Sequence, residues 1–344
     1  MAADNTMNNT VIELKDVATY FFIDEGVLKA LNGVSFKIDA RKTLGVIGES
    51  GCGKSVTAQS ILRIVPPPGK TVGGTITFWH KDGRAVNLLD LHPDGEEIRA
   101  IRGREISMIF QEPMTSLSPV HTIGDQISEV ILLHRTRNKR EAKEITLDML
   151  NKVGISNAPQ RYNEYPHQFS GGMRQRAMIA MALSCNPTLL IADEPTTALD
   201  VTVQAQILDL MHSMQAEMGM AMMYITHDLG VIADIADEVA VMYLGMVVEY
   251  ADVRSTFREP LHPYTQLLLK SIPRIGRKAR TRLDAIEGNV PIPLNLRAQC
   301  PFLDRCPQVI PGVCESAVPE FYQPRPGHLV RCFHYRDSGV GDEQ

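Results

Sequence analysis

The sequence has no excess of basic residues. Its 344 residues include 35 Lys and Arg against 40 Asp and Glu, which gives a formal net charge of −5. Such a chain lacks the positive field that draws a protein onto nucleic acid or onto an anionic membrane surface. We therefore expect no nucleic-acid partner, and we expect any attachment to a membrane to depend on contacts with other proteins.

Long apolar runs are missing as well. A helix that spans a bilayer needs about 20 apolar residues, whereas the apolar segments Ala177–Leu183 and Val239–Val248 are short or interrupted by Gly245. The segment Met1–Thr10 is polar and has no apolar stretch of the signal-peptide kind. These features predict a protein that stays in the cytoplasm.

The chain also lacks internal repeats. Its hydrophobic periodicity divides it into a main part with regular strand and helix patterns and a tail without them. Its length favours about two domains, and its apolar content of 44% is enough for an ordinary core. Strand patterns come first, helical periodicity runs from about 88 to 185, and regular periodicity fades after Arg254. We predict an α/β domain over 1–254, with a helical subdomain at about 88–185, and a C-terminal extension over 255–344.

A glycine-rich motif, Gly48-Glu-Ser-Gly-Cys-Gly-Lys54-Ser55, follows the apolar strand pattern Thr43–Ile47 and precedes a helical pattern. This is the context that a phosphate-binding loop requires. Glycines let backbone N–H groups turn toward phosphate oxygens at the positive end of the helix. Lys54 supplies a charge for the β- and γ-phosphates, and Ser55 supplies a hydroxyl for Mg²⁺. The predicted nucleotide contacts here are Gly48, Ser50, Gly51, Gly53, Lys54, Ser55 and Val56.

Two adjacent acids, Asp193 and Glu194, end the apolar strand pattern Leu189–Ala192. At such a strand end Asp193 can hold Mg²⁺ through water, and Glu194 can polarise the water that attacks the γ-phosphate. Acids after a strand are often only a solvated turn. Here the upstream Ser170-Gly171-Gly172 and the downstream His227 favour the catalytic interpretation. The Ser-Gly-Gly tripeptide also disfavours a kinase, which does not need it.

These motifs occur in the order typical of ATP-binding cassette (ABC) ATPases, and the chain resembles the motor subunit of an ABC transporter from about Val11 to Val253. The motifs are the phosphate loop, Phe110-Gln111-Glu112-Pro113, Phe169-Ser170-Gly171-Gly172-Met173, Asp193-Glu194, Ala198-Leu199-Asp200 and His227. The resemblance implies an α/β P-loop NTPase cassette with a mixed sheet core, an antiparallel β subdomain and an inserted helical subdomain. Its cofactors would be ATP and Mg²⁺, with Ser55, Gln111 and Asp193 on the metal.

The resemblance also implies roles for individual residues. Gln111 would relay the nucleotide state to a membrane domain, His227 would bind the γ-phosphate, and Asp200 would line the interface with a partner cassette. Phe21 would stack on adenine, with Tyr20 as the alternative. Ser170, Gly171 and Gly172 would grip the γ-phosphate of an ATP that the opposite subunit holds, because they resemble a helix N-terminus with an open backbone.

Three segments resemble the oligopeptide/dipeptide importer group within the family: Tyr165-Pro166-His167-Gln168, the run from Ile191 to Val201, and His262-Pro263-Tyr264-Thr265. This closer resemblance implies a motor on the cytoplasmic face of the inner membrane, held there by two transmembrane permease subunits. An extracytoplasmic binding protein would deliver a peptide-like solute. The second ATPase subunit would more often be a paralogue than an identical chain.

Four of the six cysteines, Cys300, Cys306, Cys314 and Cys332, crowd into the tail. Four thiolates suit either a tetrahedral zinc ion or an iron–sulfur cluster, and small buried side chains or disulfides are the plainer interpretations. The spacing lacks the Cys-x-x-Cys pair usual for structural zinc. It resembles the C-terminal cluster of dipeptide-transporter ATPases, which implies a [4Fe–4S] cluster, with zinc as the alternative.

A second function class is a soluble ABC-type ATPase that acts on nucleic acid or ribosomes. Such proteins usually carry two cassettes in one chain or long insertions in the cassette. This chain has one set of cassette motifs and no visible basic face. The sequence therefore favours the transporter ATPase.

Overall fold

The structure is a computed structural model that describes residues 9–111, 116–197, 199–271 and 286–337. Its strands are β1 (Thr10–Ile23), β2 (Gly26–Asp39), β3 (Thr43–Ile47), β4 (Gly69–Trp79), β5 (Ala85–Asn87), β6 (Ile106–Ile109), β7 (Leu189–Asp193), β8 (Ala221–Ile225), β9 (Glu238–Tyr243), β10 (Met246–Asp252), β11 (Tyr322–Arg325) and β12 (His328–Val330).

The α-helices are α1 (Lys54–Ile61), α2 (Glu96–Ile101), α3 (Ile123–His134), α4 (Lys139–Lys152), α5 (Ala158–Arg161), α6 (Gly171–Leu183), α7 (Val201–Met218), α8 (Leu229–Ile235), α9 (Val253–Arg258) and α10 (Pro263–Lys270). Short 3₁₀ helices cover Leu88–Asp90, Pro166–Gln168, Leu303–Arg305 and Phe333–Tyr335. None of the described helices has both the length and the apolar character needed to cross a bilayer.

The described residues form two compact units, and each is described by itself. Unit 1 takes its residues from Met1–Ile12, Ile38–Lys42 and Thr77–Tyr224. Unit 2 takes its residues from Glu13–Lys37, Thr43–Ile76 and Ile225–Gln344. The division of the chain at residue 254 stays a prediction.

In unit 1, strands β6 and β7 pair in parallel, with Ile106 opposite Leu189 and Ile109 opposite Ala192. Every residue of β7 is buried, as expected of an interior parallel strand. Because the carboxyl ends of parallel strands meet at one edge of a sheet, this pairing places the residues that follow β6 and β7 side by side. The pairing therefore fixes where the residues after Ile109 and Asp193 lie within unit 1.

The helices of unit 1 bury one face each. Helix α3 buries Ile123, Ile127 and Ile131, and helix α4 buries Met149 and Leu150. Helices α3, α4 and α6 contact one another, so the predicted helical packing is present. The segment 88–185 is not helical throughout, however, since it also contains β6. A four-residue strand is too short for periodicity to reveal.

In unit 2 the strand order β11-β12-β10-β9-β3 forms part of a mixed sheet, with β3 parallel to β9 and β10 antiparallel to both β9 and β12. Strands β2, β1 and β4 are neighbours in a second sheet. Strands β9 and β10 form a hairpin around Gly245. Leu244 and Gly245 both have positive φ, 47° and 75°, as a two-residue type I′ turn requires.

The tail is attached to unit 2 through a buried carboxylate. Glu249, on β10, is fully buried and accepts hydrogen bonds from the backbone N–H groups of Leu261 (2.8 Å) and His262 (2.9 Å). Its Oε1 also lies 2.7 Å from Nε2 of His328, on β12. These contacts tie the start of α10 and strand β12 to the sheet.

Candidate functional site

The phosphate loop connects the buried strand β3 to α1, and its glycines are required by geometry. Gly48 has a φ of 152°, and a Cβ there would lie 2.2 Å from the backbone O of Met242. Gly53 has a φ of 101°, and a Cβ there would lie 2.6 Å from the backbone O of Ala30. Any side chain at these positions would collide with backbone, so the loop keeps its shape only with glycine.

Lys54 is buried inside this loop. Its Nζ donates hydrogen bonds to the backbone O atoms of Gly48 (2.9 Å) and Glu49 (3.1 Å). Lys54 is also the first residue of α1, where the N–H groups of the first turn have no acceptor within the helix. The ammonium group and the helix N-terminus therefore place positive charge at one spot, which suits a phosphate group.

The neighbouring thiol, Cys52, is buried and lies 3.9 Å from Nζ of Lys54. Desolvation raises the pKa of this thiol above its usual 9.0, although Lys54 acts in the opposite direction. Cys52 is therefore a neutral side chain near neutral pH. It packs beneath the loop and is not assigned to a metal.

In unit 1 the structure brings Gln111 and Glu194 together. Nε2 of Gln111 donates a hydrogen bond of 3.3 Å to Oε2 of Glu194, which also accepts one of 3.0 Å from Oγ1 of Thr197. Glu194 has a φ of 46°, a conformation that is uncommon for a residue with a side chain and that clusters at functional sites. The carboxylate is therefore oriented both by its backbone and by two donors. Asp193 precedes it as the buried last residue of β7.

Ser170 is the N-cap of α6, and its Oγ accepts a hydrogen bond of 3.3 Å from the N–H of Met173. Gly171 is open, since a Cβ there would meet no atom closer than 4.0 Å, while a Cβ at Gly172 would lie 3.0 Å from Val203. The motif thus forms a helix N-terminus with an accessible backbone. Such a terminus attracts an anion.

Asp200 is the N-cap of α7, and its Oδ1 accepts a hydrogen bond of 3.0 Å from the N–H of Val203. The next residue, Val201, is 83% exposed. A single exposed apolar side chain is ordinary on a protein surface, so the place of Asp200 at an interface with a partner cassette stays a prediction. Ala198 of this motif, like Glu112 and Pro113 beside Gln111, lies outside the described residues.

His227 belongs to unit 2, in the loop between β8 and α8, and it is exposed. The residue before it, Thr226, donates its N–H to the backbone O of Val46 in β3 (3.3 Å). The residue after it, Asp228, caps α8. The loop is therefore fixed on both sides of the histidine.

The aromatic residues at the end of β1 differ in their surroundings. Tyr20 donates a hydrogen bond of 3.1 Å to Oδ1 of Asn32 and lies 5.7 Å beneath Nζ of Lys29. Phe21 packs beside Gly69, where a Cβ would lie 2.7 Å from its ring. Phe22 was not predicted to contact adenine, and it is 47% exposed. Stacking of Phe21 on adenine stays a prediction.

The predicted residues divide between the two units. Gln111, the Ser170–Gly172 motif, Asp193, Glu194 and Asp200 belong to unit 1, whereas the phosphate loop and His227 belong to unit 2. Two residues that were not predicted as site residues also contact the loop. The hydroxyl of Tyr264 accepts a hydrogen bond of 2.9 Å from the N–H of Glu49, and Arg305 forms an ion pair with the Glu49 carboxylate. No local pattern marks such distant partners.

The four tail cysteines are free thiols in unit 2, and the described residues contain no group of three or more His, Cys, Asp or Glu side chains arranged to hold a metal ion. Backbone N–H groups of Gln308 and Ile310 nevertheless donate to Sγ of Cys306 and Cys314, both at 3.4 Å. Desolvation, aided by the neighbouring thiols, raises the pKa of Cys300 to about 12 and that of Cys332 to about 11. Cys300 and Cys332 are therefore neutral thiols near neutral pH.

The chain matches two family models. Residues 31–197 match the model described as ABC transporter, and residues 248–314 match the model described as oligopeptide/dipeptide transporter, C-terminal region. The first region contains the phosphate loop, Gln111, Ser170–Gly172, Asp193 and Glu194, and it ends before Asp200. The second contains Tyr264, Arg305 and three of the four tail cysteines.

Individual proteins agree with these models. The chain is 50% identical to a probable peptide ABC transporter ATP-binding protein of Sinorhizobium fredii, covering 96% of both chains. It is 48% identical to an oligopeptide transport ATP-binding protein of Bacillus subtilis, covering 96% of this chain and 99% of that one. A solved dimeric ATP-binding cassette in a post-hydrolysis state, bound to ADP and phosphate, is 27% identical with a TM-score of 0.61, over 71% of this chain and 99% of that one.

Replacement of Lys54 tests the phosphate loop. In Lys54→Ala the ammonium group that lies in the loop is lost, and we expect ATP to bind about tenfold or more weakly, a change of about 1.4 kcal/mol. Equilibrium titration with a fluorescent ATP analogue measures this. Lys139→Ala, on the exposed start of α4, is the matched control. Unchanged affinity in Lys54→Ala would contradict the assignment of the loop.

Replacement of Glu194 tests the hydrolytic role. Glu194→Gln keeps the shape of the side chain and removes its basicity, so we expect ATP affinity to stay within about threefold while turnover falls by about 100-fold or more. Phosphate release and nucleotide titration measure the two effects. Glu144→Gln makes the same change on an exposed helix face and leaves both unchanged. Near-normal hydrolysis by Glu194→Gln would show that another group activates the water.

Proposed function

The chain belongs to the ABC transporter ATPases, in the branch that carries the oligopeptide/dipeptide C-terminal region, and we propose that it is the ATP-hydrolysing subunit of an importer for di- or oligopeptides. The observation that carries this proposal is the similarity to peptide transport ATPases over nearly the whole chain, tail included. The geometry of the motifs supports it. The alternative, a soluble ATPase acting on nucleic acid or ribosomes, is not favoured.

The nucleotide site uses the charges already described. Lys54 and the N-terminus of α1 bind the β- and γ-phosphates. Ser55, Gln111 and Asp193 offer the oxygen donors that Mg²⁺ prefers, so the residues present fit this ion. When bound, Mg²⁺ neutralises charge on the phosphate oxygens.

Hydrolysis depends on the Gln111–Glu194 pair in this proposal. Glu194 accepts a proton from the attacking water, and its carboxylate is held for that task by Gln111 and Thr197. His227 binds the γ-phosphate from its exposed position. Because Glu194 and His227 are both present, the site that this chain builds is competent for hydrolysis.

The site is completed by a second cassette. The N-terminus of α6 at Ser170 is open, and we assign it to the γ-phosphate of an ATP that the partner holds. The exposed Val201 beside Asp200 suits the same interface. ATP favours the closed pair, and loss of the γ-phosphate contacts after hydrolysis lets the pair reopen.

Closure is transmitted through the surface around Gln111. Phe110, next to Gln111, is 43% exposed, and Val120, shortly after it, is 73% exposed. We place the docking surface for the permease subunits at these exposed side chains. The chain then lies peripherally on the cytoplasmic face of the inner membrane, with two permeases, an extracytoplasmic binding protein and a paralogous ATPase as partners.

We assign the tail cysteines to a [4Fe–4S] cluster. Two of the four sulfurs already accept backbone N–H hydrogen bonds, and such bonds tune iron–sulfur clusters. His334, two residues after Cys332, is exposed, and its Nε2 lies 2.7 Å from the backbone O of Gln308. The four thiols are therefore the better ligand set, with zinc as the alternative.

Isolation from membranes tests the transport function. Affinity purification of the tagged chain in mild detergent is expected to recover two permease subunits and a second ATPase, identified by mass spectrometry. Reconstituted in vesicles, the complex is expected to hydrolyse ATP faster when a peptide-loaded binding protein is added. Recovery with ribosomes or nucleic acid, and no permease, would favour the alternative function.

Metal analysis tests the cluster. Protein purified without oxygen is expected to be brown and to contain about four irons per chain. Cys306→Ala is expected to lose most of the iron, whereas Cys185→Ala, outside the tail, is expected to keep it. Stoichiometric zinc without iron would overturn the assignment.

A further inference from the structure

The phosphate loop carries an acid that an arginine of the tail neutralises. Nη1 of Arg305 donates to Oε2 of Glu49 at 2.7 Å, and Nη2 donates to Oε1 at 3.0 Å, although the residues are 256 positions apart. This is a bidentate pair, the strongest geometry available to a guanidinium and a carboxylate. It fixes the direction of the Glu49 side chain as well as its distance.

Arg305 is itself held from several sides. Its Nε donates to the backbone O of Glu287 (3.0 Å), its Nη2 donates to that of Gly288 (3.1 Å), and its guanidinium lies 5.8 Å from the centre of the Tyr243 ring. Its side chain is only 5% exposed, while that of Glu49 is 27% exposed. A pair this well enclosed is weakly screened, so the loss of either charge leaves the other poorly compensated.

The tail also holds the backbone of the same loop residue. The Tyr264 hydroxyl accepts the N–H of Glu49 at 2.9 Å. Tyr264 is fully buried, and its ring packs against Tyr243 (4.7 Å between centroids) and Phe302 (5.5 Å). Burial raises the pKa of Tyr264, so the hydroxyl stays neutral. Glu49 is thus fixed at both its side chain and its N–H.

These contacts lie beside the groups that receive the phosphates. Nζ of Lys54 donates to the backbone O of Glu49, and Gly48 precedes it. An uncompensated carboxylate at this position would repel a polyphosphate and compete for the Lys54 ammonium. The Arg305 guanidinium opposes both effects because it neutralises the carboxylate and directs it toward the tail.

We propose that Arg305 and Tyr264 are positioning residues for nucleotide binding: Arg305 neutralises and directs Glu49, and Tyr264 holds the backbone at the start of the phosphate loop. This proposal rests on the proposed function only in requiring that the loop binds ATP. It assigns to the C-terminal extension a part in the nucleotide site of its own chain.

A double-mutant cycle on the full chain in its complex tests the proposal. The probe is a fluorescent ATP analogue, with the ATP dependence of phosphate release measured alongside. We expect Arg305→Gln to weaken binding about tenfold, which corresponds to about 1.4 kcal/mol, and to raise KM while kcat stays within about twofold. Glu49→Gln alone stays within about threefold of wild type. Because the double variant has no unpaired carboxylate, it recovers to near the affinity of Glu49→Gln.

Further variants separate this effect from a general loss of structure. Arg325→Gln removes an exposed tail arginine that pairs with Glu259 and is expected to leave nucleotide binding unchanged. Arg305→Lys keeps the charge without the bidentate geometry and is expected to give an intermediate affinity. Tyr264→Phe keeps the aromatic packing, loses the acceptor, and is expected to weaken binding about threefold.

Two results would overturn the proposal. One is wild-type affinity in both Arg305→Gln and Tyr264→Phe while Lys54→Ala loses binding. That result would show that the loop binds ATP without help from Arg305 or Tyr264. The other is a double variant as weak as Arg305→Gln, since that pattern reflects damage to the tail and not the charge of Glu49. Normal binding in Lys54→Ala as well would count against the nucleotide site itself.

Discussion

The phosphate loop has a costly backbone shape that the rest of unit 2 helps to hold. Positive φ angles at Gly48 and Gly53 cost conformational entropy, and Lys54 bonds the loop only from within. Backbone O atoms of Met242 and Ala30 close off the space beside these glycines. The turn of the β9–β10 hairpin adds a hydrogen bond of 3.0 Å from the N–H of Gly245 to the O of Cys52. The loop is therefore shaped by strands distant in sequence.

Helix N-termini recur at the motifs, and the caps fall into two kinds. Helices α1 and α6 begin after uncharged residues, Gly53 and Ser170, so the partial positive charge of each helix stays available to an anion. Helices α7 and α8 begin after Asp200 and Asp228, whose carboxylates accept the free N–H groups. Among these four helices, the two assigned to phosphate are those whose N-terminal charge is not already met by a carboxylate.

Local patterns predicted most of what is local. The strand before the phosphate loop, the glycines of that loop and the α/β class follow from residues close together in the chain, because hydrophobic periodicity and turn residues can be recognised over short stretches of sequence. Strand β6 was not predicted, because four residues are too few to show a periodic pattern. The Glu49–Arg305 pair was not predicted for another reason. Its two residues are far apart in sequence and meet only in the folded structure, and neither one is unusual in its own segment.

The Glu49–Arg305 pair is better explained by geometry than by stability. Removing two charges from water costs several kcal/mol per ion, and an enclosed ion pair is often no more stabilising than an apolar pair of similar size. The aromatic cluster of Tyr243, Tyr264 and Phe302 already attaches the tail by apolar burial. An apolar contact would not, however, fix the direction of a side chain or cancel a charge in a loop that receives a polyphosphate. The bidentate pair does both, and it joins the residue before Cys306 to the residue after Gly48. The tail is therefore part of the structure that sets the charge at the nucleotide site.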